Sequence, residues 1–474
     1  MTSATTPGRG VALAGRPPAP GLTDRAPLAA LALAGLGLGL VVGTGLVTRT
    51  DPSGPGALLT ELGRWCGLIG TYGALVVVLL VARVPWLERG VGLDHLARWH
   101  RRIAPAVLVL VALHVVLVTA GYAAAEATSY LDQTWTFLRT YPWLLPAAAG
   151  LLLMLGAGLL SWRVARRRMR YETWWVTHLY FYLAIALAFL HQITLGQPFV
   201  EHAWARALWI GLYVVTFGAL LLFRVASPLW RSWRHALRVH AVVQESPDTV
   251  SVWVRGRDLS ALRVHGGQFF GWRFLTRELW WQSHPYSVSA GSDDTYLRIT
   301  VKDLGDHSRA MFALRPGTRV VAEGPYGVLT AQARHGDRLV LVAGGVGVTP
   351  LRAVLDDLPP TVRTDLLFRA PDVDSLVLRH ELEEIAAARR NIRVRYLVGR
   401  RQEYPIDART LLHLVPDIQG ADVYTCGPGS LIDAVREACA VLGIPPHRVH
   451  DEAFTFQSPD NYAFERAQST GGHR

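Results

Sequence analysis

The stretch WHRRIAPAVLVLVALH, residues 99–114, decides the fold of this chain, because it places a histidine at each end of an apolar run. The run belongs to the third of six apolar segments, at about 28–48, 66–82, 103–125, 143–162, 174–194 and 205–226. Each segment is close to the roughly 20 residues that a helix needs to cross a bilayer. The sequence therefore predicts a six-helix transmembrane bundle within residues 27–228, after a disordered tail of residues 1–26.

The distribution of arginine predicts how the bundle is oriented. Positive charge gathers in the loop between the second and third segments and in the loop between the fourth and fifth, whereas the alternate loops carry little. Because cytoplasmic loops retain Lys and Arg, both termini are expected in the cytoplasm, with the bundle in the plasma membrane. The net charge of +11 is explained by this orientation, and no basic and aromatic surface points to nucleic acid. The three cysteines include no CxxC pair, which excludes a disulfide framework.

Two further domains are predicted after the bundle. Short β-branched runs such as DTVSVWVRG, TYLRITVKD and GTRVVAEGP are separated by turn residues, which indicates an antiparallel β-barrel over residues 236–333. Over residues 337–456, strand patterns such as DRLVLVAGG and ADVYTCGPG alternate with helical patterns such as GSLIDAVREACAVLG. That alternation is typical of an α/β domain with a parallel sheet, and residues 457–474 are left as a C-terminal tail.

Four histidines lie in the third and fifth apolar segments. His100 and His114 are 14 residues apart and His178 and His191 are 13 apart, so each pair spans roughly 20 Å at about 1.5 Å per residue. Both segments enter the membrane from the same side, which sets His100 level with His178 and His114 level with His191. Any one of them alone is an interfacial or hydrogen-bonded histidine, but four at matched depths favour two pairs of haem-iron ligands. The spacing of 13 leaves its two rings about 140° apart on a regular helix, which the pattern does not explain.

With these spacings the membrane half resembles the ferric reductase and NADPH oxidase superfamily, whose third and fifth helices hold two stacked b-type haems. The resemblance implies that the metal ligands are His100, His114, His178 and His191. It also implies FAD, two b haems and NADPH as cofactors, with NADH as the alternative nucleotide. On the histidine spacing alone, cytochrome b of the respiratory complexes would compete, but the soluble half continues the resemblance.

The motif HPYS, residues 284–287, resembles the flavin signature of that superfamily. The resemblance implies that Tyr286 stacks on the isoalloxazine ring and that the Ser287 hydroxyl hydrogen-bonds near flavin N5. VKDLGDHS follows, in which Lys302 is the only lysine of the sequence; its charge and the donors at the next helix start suit a pyrophosphate, a surface lysine being the alternative. The predicted FAD-binding residues are His284, Pro285, Tyr286, Ser287, Lys302, Gly305, His307 and Ser308.

VAGGVGVTP, residues 342–350, follows a strand and opens a helix, so its glycines let the backbone approach a pyrophosphate. Together with CGPGS, residues 426–430, it resembles the ferredoxin-reductase version of a nucleotide site. The resemblance implies that Cys426 neighbours the nicotinamide ring, with a buried strand cysteine as the alternative. The predicted residues of this motif pair are Gly344, Gly345, Gly347, Thr349, Pro350, Cys426, Gly427 and Pro428.

Two arginines and a C-terminal aromatic complete the predicted nucleotide site. Arg369 and Arg400 follow the second and third strands of the sheet, where a guanidinium suits the 2′-phosphate of NADPH, although scattered surface arginines explain them nearly as well. DEAFTF resembles the aromatic-rich terminus of the superfamily, in which a ring covers the flavin. That role falls to Phe456, with Phe454 as the alternative.

These features together predict a transmembrane NAD(P)H-dependent flavohaem oxidoreductase. Electrons would pass from NAD(P)H through FAD and two haems to a small-molecule acceptor on the outer side, either a ferric chelate or oxygen reduced to superoxide. No acid–base residue is assigned, and no partner protein is predicted. Two alternatives remain: a haem-free membrane anchor carrying a flavin reductase with a cytosolic acceptor, or a redox-sensing subunit without turnover of its own.

Overall fold

The computed structural model describes residues 26–48, 53–162, 169, 171–400 and 403–453. Among these residues, six helices are long and apolar enough to cross a membrane. They are α1 (Ala26–Val47), α2 (Ala57–Leu80), α4 (Leu93–Ala125), α6 (Leu144–Ser161), α7 (Tyr171–Leu195) and α9 (Ala203–Leu221). The shorter helices are α3 (Pro85–Val91), α5 (Tyr130–Thr140), α8 (Gln197–Glu201) and α10 (Ser227–Arg234). Each long helix overlaps one predicted apolar segment over most of that segment, which confirms the six-helix bundle.

Helices α2 and α4 pack closely over most of their length, because glycines of α2 face α4. A Cβ atom on Gly63 would lie 2.8 Å from the backbone nitrogen of Val118, and one on Gly73 would lie 2.8 Å from a methyl of Val107. Helix α4 begins at Leu93, about ten residues before its apolar segment. Apolarity marks the part of a helix that meets lipid, whereas the backbone hydrogen bonds of α4 continue through the polar stretch LDHLARWHRR.

Two three-stranded antiparallel sheets form the predicted barrel. The first has the order β1 (Arg238–Ser246), β2 (Thr249–Arg255), β5 (Tyr296–Lys302), and the second has the order β4 (His284–Ser287), β3 (Phe269–Phe274), β6 (Val320–Tyr326). Isolated bridges from Arg238 to Arg319 and from Val288 to Ile299 join them. Alternate residues of β3, Phe270 and Trp272, are buried in the core, and the short helix α11 (Asp306–Ala310) follows β5.

The last domain is a five-stranded parallel sheet with helices between its strands, as the sequence predicts. Its order is β11 (Val449–Ala453), β10 (Asp422–Gly427), β7 (Arg338–Gly344), β8 (Arg363–Ala370), β9 (Ile392–Val398). The helices are α12 (Val348–Asp357), α13 (Arg379–Ala388), α14 (Ala408–Leu414) and α15 (Gly429–Val441). Because β7 and β10 are neighbours, the loops at their carboxyl ends are side by side.

Charged side chains join the barrel to the parallel sheet. Arg298 of β5 is buried and forms an ion pair with Glu381 of α13, which also accepts a hydrogen bond of 2.7 Å from Arg352 of α12. The backbone N–H of Gly266 donates to Asp357 over 2.7 Å. The two soluble domains are therefore held in a defined arrangement. The domain boundaries given above stay predictions.

Candidate functional site

The first histidine pair lies between α4 and α7. The ring centres of His100 and His178 are 6.0 Å apart, with 58° between the ring planes. His100 Nδ1 lies 3.0 Å from the carbonyl oxygen of Val77, and His178 Nδ1 lies 3.2 Å from the hydroxyl of Ser161. A carbonyl oxygen only accepts hydrogen bonds, so the neutral His100 ring carries its proton on Nδ1. Its Nε2 lone pair is then available to a metal.

The second pair lies one level deeper. His114 Nδ1 lies 2.8 Å from the carbonyl oxygen of Gly63, which fixes the same tautomer as in His100. His191 is close enough to His114 to interact with it electrostatically. Within the residues that the structure describes, the buried Nδ1 of His191 makes no hydrogen bond of normal geometry, although the ring interacts with the backbone of Ala188. Helix α7 is α-helical across both histidines, so no bulge realigns its two rings.

The separation of the first pair would leave room for one metal ion between the two imidazoles. A metal–imidazole bond is about 2.0–2.1 Å long and the ring centre lies about 1 Å beyond the nitrogen, so the two ring centres stand about 6 Å apart. The observed 6.0 Å between His100 and His178 fits that value. His100 and His178 could therefore hold a metal ion, and would supply imidazole nitrogens to the iron of a haem.

Three predicted flavin residues meet at strand β4. The rings of His284 and His307 stack with centres 3.6 Å apart, and the Tyr286 hydroxyl lies 3.1 Å from His307 Nδ1. Burial, followed by the neighbouring His284, lowers the pKa of His307 to about 3, so this ring is neutral near pH 7. Among the described residues the buried Nε2 of His307 has no hydrogen-bond partner, so it is available to exchange a hydrogen bond with a ligand, as donor or acceptor according to the tautomer. Pro285 and the buried Ser287 complete the strand.

The predicted pyrophosphate residues are not all brought to this cluster. Lys302 forms an ion pair of 3.0 Å with Asp248 in the turn between β1 and β2. The Ser308 hydroxyl accepts the backbone N–H of Leu304 over 2.8 Å and donates to the carbonyl of Gly305 over 2.9 Å, so it orders the loop before α11. Gly305 has a φ of 150°, and a Cβ atom there would have no neighbour within 4 Å. The phosphate role of Lys302 stays a prediction.

The two glycine motifs of the parallel sheet come into direct contact. A Cβ atom on Gly347 would lie 2.2 Å from the carbonyl oxygen of Cys426, and one on Gly427 would lie 3.2 Å from the Cα of Gly344. Only glycine permits this approach. The loop after β7 and the loop after β10 therefore form one surface, made of backbone, at the carboxyl edge of the sheet.

The other residues of these motifs shape the same surface. Gly345 adopts a φ of 56°, and the Thr349 hydroxyl donates to the carbonyl of Val346 over 2.9 Å, which ties the loop to the start of α12. Pro350 lies buried in α12, and Pro428 precedes α15. Cys426 is fully buried, and burial raises the pKa of its thiol, so it is a neutral thiol near pH 7.

The two arginines proposed for the 2′-phosphate lie at the same edge of the sheet. Arg369 is the penultimate residue of β8, and Arg400 follows β9 by two residues. The Arg400 backbone N–H donates to the Glu403 carboxylate over 3.1 Å. Phe456 and its alternative Phe454 lie outside the described residues.

A charged cluster joins the membrane bundle to the barrel, and sequence reasoning missed it. We call it the junction cluster: Arg83, Glu88, Arg224, Glu323 and Tyr326. Glu323 of β6 lies 3.7 Å from Arg83 and 3.4 Å from Arg224, while Arg83 also pairs with Glu88 over 3.1 Å and lies 4.4 Å above the Tyr326 ring. Burial raises the pKa of Tyr326. Because its members are distant along the chain, no local pattern could have indicated the cluster.

The bundle, the barrel and the parallel sheet together define a membrane-spanning flavoprotein oxidoreductase. Three family models match in that order: ferric reductase like transmembrane component over residues 66–189, FAD-binding domain over 236–330 and oxidoreductase NAD-binding domain over 341–437. In this order the three models match the architecture of the ferric reductase and NADPH oxidase superfamily.

Curated relatives and solved structures cover the chain in part. A flavohemoprotein of Bordetella pertussis is 30% identical over 249 residues, which are 48% of this chain and 61% of the relative. The glycine betaine monooxygenase reductase subunit of Chromohalobacter salexigens is 26% identical over 48% of this chain and 67% of its own length. The FAD/NAD-binding domain of nitric oxide dioxygenase from Vibrio cholerae is 22% identical, with a TM-score of 0.38, over 46% of this chain and 97% of that one. The chain thus spans about three fifths of the flavohemoprotein.

Proposed function

We propose that this chain carries electrons across the plasma membrane, from cytoplasmic NAD(P)H through FAD and two b-type haems to an acceptor on the outer side. The observation that carries the proposal is the pairing of His100 with His178 and of His114 with His191 between α4 and α7. The matched families supply the coarser part, which is a membrane oxidoreductase with FAD- and NAD-binding domains.

The surroundings of the histidines support haem over a purely structural role. A histidine that only stabilised the bundle would satisfy both ring nitrogens within the protein, because an unpaired polar atom in hydrocarbon is costly. His100 and His114 use Nδ1 on backbone carbonyls of α2, which leaves Nε2 as the ligand atom. His191 keeps a buried nitrogen that has no normal hydrogen bond to any described residue. This donor set fits bis-imidazole iron.

When bound, FAD accepts a hydride from a nicotinamide nucleotide and haem iron accepts one electron at a time. The residues of the chain bind and orient these groups. Gly347 and Gly427 open the carboxyl edge of the sheet to a pyrophosphate, and α2 fixes the orientation of two imidazoles. Tyr286 and neutral His307 present an uncharged aromatic surface at β4. No side chain is required as a general acid or base.

The nucleotide and the acceptor are part of the same proposal. Arg369 and Arg400 favour NADPH, with NADH as the alternative, because both lie where a 2′-phosphate would meet the sheet edge. The acceptor is a ferric chelate or oxygen reduced to superoxide. Initial rates measured in one preparation, for NADPH and NADH each with a ferric chelate and with oxygen, identify the preferred nucleotide and the preferred acceptor. Arg400→Ala should lower the preference for NADPH and leave the NADH rate unchanged.

The decisive experiment is the reduced-minus-oxidised spectrum of membranes containing the full chain. We expect b-type bands in the wild type, about half their amplitude in His100→Ala or in His114→Ala, and none in the double variant. His95→Ala is the matched control, since His95 lies on α4 but is exposed, and it should retain both haems. Full haem content in the double variant would refute the ligand assignment.

The same preparation tests the two alternatives. A haem-free flavin reductase would show flavin absorbance and NADPH oxidation but no b-type bands in the wild type. A sensing subunit without turnover would consume no NADPH with any acceptor. Either result would contradict the proposed function and support the corresponding alternative.

A further inference from the structure

A group of metal-binding side chains lies at the edge of the parallel sheet opposite the nucleotide motifs. Asp422 begins β10, His450 lies in β11, and His335 belongs to the loop before β7. Their ligand atoms all lie within 4.8 Å of one another. Because these residues are at the amino ends of parallel strands and the glycine motifs are at the carboxyl ends, the group is separate from the proposed electron path.

The two oxygens of Asp422 have different surroundings. Oδ2 accepts the backbone N–H groups of His335 and Gly336, each over 3.0 Å. Oδ1 faces two imidazoles, with His335 Nδ1 at 3.2 Å and His450 Nε2 at 3.8 Å. The Asp422 side chain is almost completely buried, so one oxygen is held by the backbone and the other is directed at two nitrogen donors.

We propose that Asp422, His335 and His450 form a binding site for a divalent transition-metal ion, with zinc as the best-fitting ion. Two ligands of one tetrahedral zinc lie about 3.3 Å apart when each bond is about 2.0–2.1 Å. The separations of 3.2 Å and 3.8 Å bracket that value. Imidazole nitrogen favours zinc and its neighbours over magnesium and calcium, which prefer oxygen.

His450 is the feature that a simple ion pair leaves unexplained. A hydrogen bond from His335 Nδ1 to Asp422 accounts for the 3.2 Å contact between them. His450 Nε2, however, is buried and has no hydrogen bond of normal length within the described part of the chain, since 3.8 Å from Oδ1 is too long for one. A metal between the two atoms would satisfy this nitrogen.

The site has a candidate for a fourth ligand. The ring of His447 lies with its centre 5.0 Å from that of His335, and both side chains are exposed. A zinc ion there would tie the loop before β7 to the edge strand β11. Since the loop connects the barrel to the sheet, we assign the ion a structural role at that connection.

The test uses the full chain in detergent, stripped with EDTA and dialysed against buffered zinc. Bound zinc is counted by mass spectrometry. We expect the wild type to bind one equivalent of zinc more than His335→Ala or His450→Ala. In these variants the dissociation constant of the site should rise at least about tenfold. His380→Ala is the control, because His380 is an exposed histidine facing Glu384 at 3.3 Å, and it should bind as the wild type does. Any zinc bound at the membrane histidines would be present in the same amount in every sample and would not affect the comparison.

Two outcomes overturn the proposal: a wild type that takes up no zinc beyond the amount in His335→Ala, or variants that keep wild-type affinity. If His450→Ala fails to retain flavin, that variant is not correctly folded. The result for His335→Ala, which changes an exposed side chain, then decides whether the zinc site exists. Zinc should also raise the melting temperature of the wild type and leave that of His335→Ala unchanged. Magnesium in place of zinc should produce no shift. None of these readouts depends on electron transfer, so they stand or fall separately from the proposed function.

Discussion

His100 and His114 each have one ring nitrogen committed to a backbone carbonyl of α2. A ring held in this way cannot rotate without losing a hydrogen bond inside the membrane, where no water replaces it. The orientation of Nε2, the proposed ligand atom, is therefore set by the protein alone. Gly67 adds a second restraint, because its Cα hydrogens face the His114 ring and a Cβ atom there would lie 2.6 Å from Nδ1.

Gly67→Ala should therefore disturb the deeper histidine pair and spare the other. The added methyl pushes the His114 ring away from the Gly63 carbonyl, and we expect about half of the b-type absorbance to be lost. Gly211→Ala is the matched control, since a Cβ atom on Gly211 of α9 has no neighbour within 4 Å. Difference spectra of membranes measure both. Equal haem content in the two variants would contradict the prediction.

His307 makes the stability of the barrel depend on pH. Its folded pKa of about 3 lies below the value of about 6.5 expected in an unfolded chain. Between these values the unfolded chain binds more protons, so stability falls as pH drops from about 6.5 towards about 3. His307→Asn should reduce this acid loss, narrowing the difference in melting temperature between about pH 7 and about pH 4 by at least about 4 °C.

Release of flavin fluorescence on heating reports unfolding of the barrel in that experiment. His240→Asn, at an exposed position of β1, should keep the wild-type dependence on pH. A His307→Asn protein that loses as much stability in acid as the wild type would show that another group is responsible.

The sequence predicted several site residues but not their contacts. HPYS indicated an aromatic flavin surface, yet the stacking of His284 on His307 depends on how β4 and the loop before α11 fold together. The charge of Lys302 and the donors at the next helix start predict a phosphate role for this residue, whereas its observed ion pair is with Asp248. A motif identifies residue types, while the partner of a charged side chain depends on the tertiary structure.

At the scale of elements, β6 is the strand on which the membrane bundle rests. Arg231 of α10 donates to the Gly324 carbonyl over 2.7 Å, and the backbone N–H of Ala322 donates to the Ser232 hydroxyl over 3.0 Å. Together with the junction cluster, these bonds fix one face of the barrel against one end of the membrane bundle. The proposed electron path crosses this boundary, so its geometry should affect the rate.

Glu323→Gln tests the junction. The change removes the carboxylate that Arg83 and Arg224 share, which should cost on the order of 1–3 kcal/mol of docking free energy. We expect slower haem reduction by NADPH, with flavin-dependent reduction of ferricyanide close to the wild-type rate. Glu383→Gln, which breaks only the exposed pair with Arg379, is the control and should change neither rate. Stopped-flow spectroscopy separates the two steps, and an unchanged haem rate in Glu323→Gln would exclude the junction from the path.

The elements themselves followed from the sequence, because apolar periodicity and turn residues act locally. Their ends did not: α4 starts well before its apolar segment, since helical hydrogen bonding continues into the polar turns. The strand order β11-β10-β7-β8-β9, which brings two glycine motifs together, depends on pairing between residues about 80 positions apart. Such pairings leave no mark in a local pattern.

For the whole molecule, arginine placement predicts that the dehydrogenase half is cytoplasmic. Inside-out vesicles should then oxidise added NADPH directly. Right-side-out vesicles should do so only after permeabilisation, which should raise their rate of NADPH oxidation at least about tenfold. Because NADPH does not cross a bilayer, the comparison reports which side carries the nucleotide site. A fluorescent protein fused to the C-terminus should be bright in the same cells. Direct oxidation of NADPH by sealed right-side-out vesicles would show that the orientation is the opposite of the predicted one.

The contacts between α2 and α4 also constrain how related chains can vary. Val77 and Gly63 are 14 residues apart, as are His100 and His114, and the two helices run in opposite directions. One residue inserted between either pair would turn the helix by about 100° and lengthen it by about 1.5 Å. Only one of the two histidine rings could then keep its hydrogen bond to a carbonyl of α2. Insertions and deletions should consequently be absent from these two intervals or occur in both at once, while the connecting loops differ freely in length.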